Sequence, residues 1–418
     1  MWRLLPAPVA VDHRHETTQP EIMTPMGETP RLQGRDIVCV GFADWDTELW
    51  TNQHHLMSRL AHENRVLFVE SLGLRKPQLA GRDLSRIWRR LRRGFAPPRA
   101  VDGLHVISPL VLPLHGSRVA RALNARLLPT LVRRAARGLG LRRPILWAYV
   151  PQAEVLIDPL DPSLVIYHCV DDIAAHERID TASFRAAETR FAARADLVLA
   201  SAPALAERLR TISSNVLDAP NVADTELFAT ALQPSPPARV DPAMAALPSP
   251  RIVFTGAISA VKLDIPLLVE LARLRPSWSF ALVGPIGLGD PHTDVSALSA
   301  EPNVHLLGGR AYRELPDVLR AADAGLIPYA RNELTASIFP MKVYEYLAAG
   351  LPVIATPLPA LAEVTDVASA PDAAGVAELL DEALAEDSPE RRAARSLAAA
   401  SRSWDRRLEE IAAAIQAL

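Results

Sequence analysis

A chain of 418 residues exceeds one ordinary core and, at roughly 100 to 200 residues per domain, predicts two domains. Hydrophobic residues at 49% and charged residues at 22% are the proportions of a folded globular protein and exclude a disordered one. The only two cysteines, Cys39 and Cys169, lie in separate apolar runs, which excludes a disulfide scaffold and fits a reducing compartment; neither has a Cys or His at zinc-ligand spacing. The net charge of -3 conceals an asymmetry: arginine concentrates between residues 75 and 143, and acidic residues gather after residue 360.

The opening residues, MWRLLPAPVAV, form an apolar segment too short and too proline-broken for a signal sequence, so residues 1–34 read as a disordered leader, with Met23 and Met26 as alternative starts. From residue 36 short β-rich runs alternate with helical patterns: DIVCVGF, TNQHHLMSRLAHE, RVLFVESL, then GLHVISPL, PILWAYV, SLVIYHCV and DLVLASA. That is the strand-helix-strand rhythm of a parallel sheet, and it predicts a first doubly wound domain over 35–230. Residues 231–250 are proline-rich without amphipathic period, the composition of a linker. A second series, RIVFTGAI, SFALVGPI, NVHLLGG, AGLIPYA and PVIATPL with helices between, predicts another doubly wound domain over 251–400, followed by a C-terminal helix at 401–418 that can return to the N-terminal domain. The fold class is therefore α/β, with two Rossmann-like doubly wound domains facing across a cleft. No apolar run approaches the ~20 residues that span a bilayer.

In open parallel sheets ligands bind beyond the carboxyl ends of the strands. In the first domain those positions hold Asp44-Trp45-Asp46, Glu70 and Ser71, Tyr149 and Pro151, Asp171 and Asp172, and Ser201; in the second, Gly256 and Ser259, Gly284 and Pro285, and Tyr329 through Glu333.

The segment Asn332–Thr356, NELTASIFPMKVYEYLAAGLPVIAT, carries the most information. Pro340 suits the first turn of a helix, whose free N–H groups attract anions. Lys342 adds a point charge suited to a diphosphate. Glu345 follows one turn along the same face, where its carboxylate can accept two ribose hydroxyls, and Gly350 suits a C-terminal cap. The plainer reading is a capped helix with a solvent-facing Lys/Glu pair. The segment resembles the donor-site motif of family 4 glycosyltransferases of the GT-B fold. GAIS at 256–259, RPSWSFALVGP at 275–285 and PNVADTELF at 220–228 extend the likeness, which is nearest to teichuronic-acid and other cell-surface polysaccharide transferases.

The resemblance implies a donor site drawing on Gly256, Lys262, Gly284, Tyr329, Glu333, Ser337, Pro340, Lys342 and Glu345. Two positions depart from the family pattern. Ser337 stands where a glutamate eight residues before Glu345 reaches the sugar hydroxyls, with Glu333 as a substitute if the loop folds back. Ala257 stands where many members carry a phosphate-binding arginine, with Lys262 near the second basic position. The resemblance further implies a metal-independent, retaining transferase with a nucleoside-diphosphate sugar of UDP or GDP type as co-substrate and no cofactor.

On the other side of the cleft, Asp44-Trp45-Asp46 has the spelling of a cation-binding D-x-D but follows the first strand directly, so it reads as cleft lining, with Asp46 or Asp44 contacting the acceptor. Asp171 and Asp172 end SLVIYHCV and are the candidates for orienting the acceptor or taking its proton; a helix N-cap is the other reading. His168 reads as structural. Residues 82–99 place Leu84, Ile87, Trp88, Leu91 and Phe95 opposite Arg86, Arg89, Arg90, Arg92 and Arg93, the pattern of an interfacial helix on an anionic membrane or of an amphipathic helix packed on its own domain. No nucleic-acid module is present. The expected activity is transfer of a sugar to a saccharide, lipid-linked or other hydroxyl acceptor in the cytoplasm, at the inner face of the membrane. The alternatives are a nucleotide-sugar epimerase on the same scaffold and a non-catalytic GT-B-like binding protein; a dehydrogenase is disfavoured because the first strand runs into GFADWD without G-x-G-x-x-G.

Overall fold

The computed structural model describes residues 30–47, 49–71, 97–109, 118–175, 179–234 and 239–418. The leader up to residue 29 and most of the arginine-rich helix expected at 82–99 lie outside the described residues.

The first domain is built on β1 (Asp36–Val40), α1 (Asn52–Leu60), β2 (Arg65–Val69), β3 (Arg99–Val101), β4 (Leu104–Ile107), α2 (Arg118–Gly138), β5 (Ile145–Ala148), β6 (Leu164–Cys169), α3 (Thr181–Arg194), β7 (Leu197–Ala200), α4 (Pro203–Arg210) and β8 (Val216–Asp218). Its eight strands run in the order β3-β4-β2-β1-β5-β6-β7-β8, all neighbours parallel except the β3–β4 edge. The central strands are apolar at nearly every position because helices cover both faces, which is why they read as continuous runs rather than alternating ones. Part of the arginine-rich region forms α2, which buries Leu128, Val132, Ala135 and Ala136 in its own domain and leaves Arg133, Arg134 and Arg137 in water.

The chain crosses to the second domain through α5 (Thr225–Ala229). There it forms β9 (Arg251–Thr255), α6 (Ile265–Leu274), β10 (Ser279–Val283), β11 (Val304–Leu306), β12 (Ala324–Ile327), α7 (Glu333–Ala336), α8 (Lys342–Ala348), β13 (Val353–Ala355), β14 (Val367–Ser369), α9 (Ala373–Glu386) and α10 (Pro389–Ala399). The six strands are all parallel, in the order β11-β10-β9-β12-β13-β14. The order reverses between β9 and β12 here, and between β1 and β5 in the first sheet; such switch points open a crevice at the strand ends. The last helix, α11 (Trp404–Gln416), crosses back and buries Trp404 and Ile411 in the apolar cluster of the first domain with Ile37, Leu56 and Phe68. The two crossings lie side by side, Ala223 pairing parallel with Ser403 and its N–H donating to the Arg402 carbonyl at 3.1 Å. No described helix is long and apolar enough to cross a membrane.

Candidate functional site

The switch point of the second sheet is shaped by α8. Tyr346 anchors this helix from below: its hydroxyl accepts the Thr255 N–H at 2.7 Å at the end of β9. Its ring lies where a Cβ on Gly325 would approach within 2.3 Å, so β12 needs glycine there for the helix to sit this close. Gly350, at φ +79°, ends α8 in a left-handed turn, with Gly350 N–H bonded to the Leu347 carbonyl at 2.9 Å and Leu351 N–H to the Tyr346 carbonyl at 3.0 Å. This pair of bonds is the Schellman arrangement, and it satisfies carbonyls that the helix end would otherwise leave open.

The opposite end of α8 points at the crevice. Lys342 Cε and Nζ lie 2.6 and 2.7 Å from where a Cβ on Gly256 would stand, and Gly256, at φ +128°, has a backbone suited to glycine. A Cβ on Gly284, at the end of β10, would meet the Gly256 carbonyl at 1.9 Å. Two adjacent strand ends thus close around a lysine only because both residues lack side chains. The ammonium lies 5.6 Å from the centroid of the Phe254 ring and, among the described residues, has no carboxylate within ion-pair distance. A half-buried cation beside two side-chain-free turns has the charge and the room to receive an anion.

Glu345, one turn further on, is only 4% exposed. Burial raises its carboxyl above the ordinary range, while Lys342 and the Tyr312 hydroxyl pull it back. Ser337 ends α7 and is buried, and Pro340 is buried ahead of Lys342. Glu333 begins α7, which Asn332 opens by accepting the Thr335 N–H at 3.0 Å, and its side chain is exposed. Tyr329 is placed differently from the expectation of a cleft-facing group: it is 5% exposed in the domain core, and its carbonyl accepts the Thr356 hydroxyl at 2.6 Å. Lys262 is half-buried in the loop between β9 and α6 and is felt across the cleft by Asp171, whose carboxyl it lowers.

The strand ends of the first sheet look alike in sequence and differ in structure. Asp171 is half-buried, with neither a side-chain hydrogen bond nor an ion pair among the described residues; burial raises its carboxyl, Lys262 opposes this and Asp172 adds to it. Asp172 is tied instead to Arg185 at 2.5 Å. Arg185 continues at 3.1 Å to Glu188, which is 2% exposed and also holds Arg208 and the Tyr167 hydroxyl, the latter at 2.8 Å. It is an internal ion network that holds the Asp172 carboxylate, while the Asp172 carbonyl accepts the Ala175 N–H at 3.0 Å at the start of the short turn Ile173–Ala175. In DWD, Trp45 is not cleft lining: it is 3% exposed, packed on Phe68 with ring centroids 5.0 Å apart. Asp46 pairs with Arg99 at 2.8 Å, and Arg99 reaches the buried Glu70 at 3.3 Å. His168 is fully buried between Trp147 and Tyr149, and burial pushes its ring down to about 3, so it stays neutral.

Tyr312 escaped the sequence reading. It stands beyond β11, stacked near Trp50 and 4.7 Å from the His55 ring, both of the first domain, while influencing Glu345 of the second. Its signal was an aromatic residue in GGRAY, after a strand end.

Comparisons with known proteins place the fold. Residues 249–386 match the family described as glycosyl transferases group 1. Over 238 residues the chain is 30% identical to TuaH of Bacillus subtilis (strain 168), a glycosyltransferase assigned by name to teichuronic acid biosynthesis; the match covers 53% of this chain and 57% of the relative's length. Among solved structures, HepE of Anabaena in complex with UDP and glucose aligns with a TM-score of 0.61 at 16% identity, covering 92% of this chain and 100% of that one. The α,α-trehalose 6-phosphate synthase of Burkholderia multivorans aligns with a TM-score of 0.65 at 14% identity, covering 92% and 99%. The two parallel-sheet domains are those of the GT-B fold.

Proposed function

We propose that this chain, whose residues 249–386 form a glycosyl transferases group 1 domain within a GT-B fold, moves a sugar from a nucleoside diphosphate to a hydroxyl acceptor. The observation that carries the reading is the Lys342 ammonium, without an ion-pair partner among the described residues and held against the Gly256 and Gly284 turns one helical turn from the buried Glu345. Lys342, with Lys262 nearby in the same cleft, neutralises the diphosphate as the bond to the anomeric carbon breaks. Glu345 accepts the ribose hydroxyls. Asp171, a carboxylate of the facing sheet with no hydrogen-bond or ion-pair partner among the described residues, receives the acceptor's proton as the acceptor oxygen bonds to the anomeric carbon, and the nucleoside diphosphate departs. A single displacement with Asp171 as base inverts the anomeric configuration, so the retention implied by the resemblance is not part of this proposal; independence of metal is, as are a UDP- or GDP-type donor and a saccharide or lipid-linked acceptor. The name of the Bacillus relative supports a cell-surface polysaccharide as the product. The site would then work in the cytoplasm against the inner face of the membrane, with 82–99 as the contact.

Calorimetric titration with UDP and GDP tests the donor half. Wild-type protein is expected to bind one of them, and Lys342→Ala and Glu345→Ala each to weaken binding about 10- to 100-fold, the range for charge-assisted hydrogen bonds. No binding by wild type, or wild-type affinity in both variants, sinks the reading.

A further inference from the structure

A buried polar chain joins the two domains and ends on the donor loop. The Tyr149 hydroxyl donates to Asn52 Oδ1 at 2.9 Å, Asn52 Nδ2 donates to Asn221 Oδ1 at 2.8 Å, and Asn221 Nδ2 donates to the Phe339 carbonyl at 3.0 Å. Tyr149 follows β5 and Asn52 opens α1, both in the first domain. Asn221 lies in the crossing ahead of α5, and Phe339 precedes Pro340 at the start of the donor segment. All four are buried: Tyr149 at 1%, Asn52 at 3%, Asn221 at 9% and Phe339 at 4% exposure.

The chain has one polarity. A peptide carbonyl only accepts, so Asn221 must turn its NH2 to Phe339 and its oxygen to Asn52, which in turn presents its own oxygen to Tyr149. Burial keeps the Tyr149 hydroxyl protonated by raising it well above its ordinary value, so the chain has a donor at its far end. The peptide held at the near end is unusual in having no N–H, because residue 340 is proline. Its carbonyl is the only hydrogen-bonding handle on that peptide plane, and the plane sets where Pro340, Met341 and Lys342 begin α8.

We infer that Asn52 and Asn221 are positioning residues: through the Phe339 carbonyl they set the Lys342 end of α8 against the glycine turns, so that donor affinity depends on a side chain of the opposite domain. The inference rests on the nucleotide-binding reading above. Neither asparagine needs to touch the donor. A relative movement of the domains must stretch Asn52–Asn221 or Asn221–Phe339, which ties the donor loop to the angle between them.

The test uses the full chain and whichever of UDP or GDP the wild type binds more tightly. Asn52→Ala and Asn221→Ala are each expected to weaken that nucleotide about fivefold, and the double variant about fivefold rather than 25-fold, because the two act as one link. Asn52→Asp keeps size and the acceptor for Tyr149 but loses the donor to Asn221; it is expected to match Asn52→Ala and serves if alanine folds poorly. Amide exchange without ligand is expected to quicken over 337–345 in Asn52→Asp while β9 and β12 keep their protection. Wild-type affinity and wild-type exchange over 337–345 in folded variants, with only a lower melting temperature, would overturn the inference and leave the function standing. Failure of wild type to bind either nucleotide removes both.

Discussion

The first sheet carries acidic side chains at several of its strand ends and the second carries glycine at two of its own, and the two dispose of charge differently. In the second sheet the ends are stripped: Gly256 and Gly284 offer backbone alone, and Lys342 enters from a helix without an ion-pair partner among the described residues. In the first sheet most charged groups are already engaged, Asp46 and Glu70 with Arg99, and Asp172 with Arg185 and its network. A charged residue at a strand end marks a site only when its partners are missing. By that measure Asp171 stands apart from its neighbours.

The largest expected effect tests this contrast directly. Asp171→Asn should lower turnover about 10²- to 10⁴-fold, the usual worth of a positioned base, with nucleotide affinity unchanged. Asp172→Asn should leave turnover within a few-fold and lower the melting temperature. Steady-state kinetics beside thermal unfolding separate the two, and equal kinetic losses would erase the distinction between engaged and free carboxylates. Next in size is Gly256→Ala. The added Cβ meets Lys342 Cε and Nζ and must push the side chain aside, so nucleotide affinity should fall about tenfold in a calorimetric titration, roughly the loss of one charge-assisted bond.

A smaller effect sharpens the link across the cleft. Asp171 is raised by burial and acts as a base only when ionised, so turnover should climb with pH through a value above the ordinary carboxylate range. Lys262 favours the ionised form. Lys262→Ala should therefore move that limb to higher pH in a pH–rate profile; a limb that stays put, or moves down, removes Lys262 from the field of Asp171. The smallest effect belongs to Asp46→Asn. Its pair with Arg99 is solvent-exposed, with side-chain exposures of 55% and 37%, and such pairs are worth about 0–1 kcal/mol, so denaturant unfolding should barely change.

What could be read in the sequence was what is contiguous. Lys342, Glu345 and Gly350 fall within nine residues, on one helix and the turn that ends it, and the glycine turns follow apolar runs that announce their strands. Side-chain direction was not legible. Trp45 and Tyr329 both follow strands, yet both turn into the core, because the residues after a strand can aim their side chains to either face of the layer. The edge strands β3, β8 and β14 have three residues each and, unlike the equally short β11 and β13, have no buried residue, so no apolar run announces them, and β3 also reverses the parallel rule by pairing antiparallel with β4. The Tyr149–Asn52–Asn221–Phe339 chain links residues 97, 169 and 118 positions apart. No local pattern encodes such a link; it arises from topology.

The double crossing between the domains sets how they can move. A single tether permits twist as well as bend, but two tethers lying flush, zipped where Ala223 meets Ser403, act like a strap hinge on a box lid. Rotation about one axis remains easy, while torsion would shear the strap and drag Trp404 from its socket. Severing one strap, for instance by a nick in the backbone between 400 and 403, should turn a lid into a swivel: both halves would keep their shape, and the jaws would no longer meet in register.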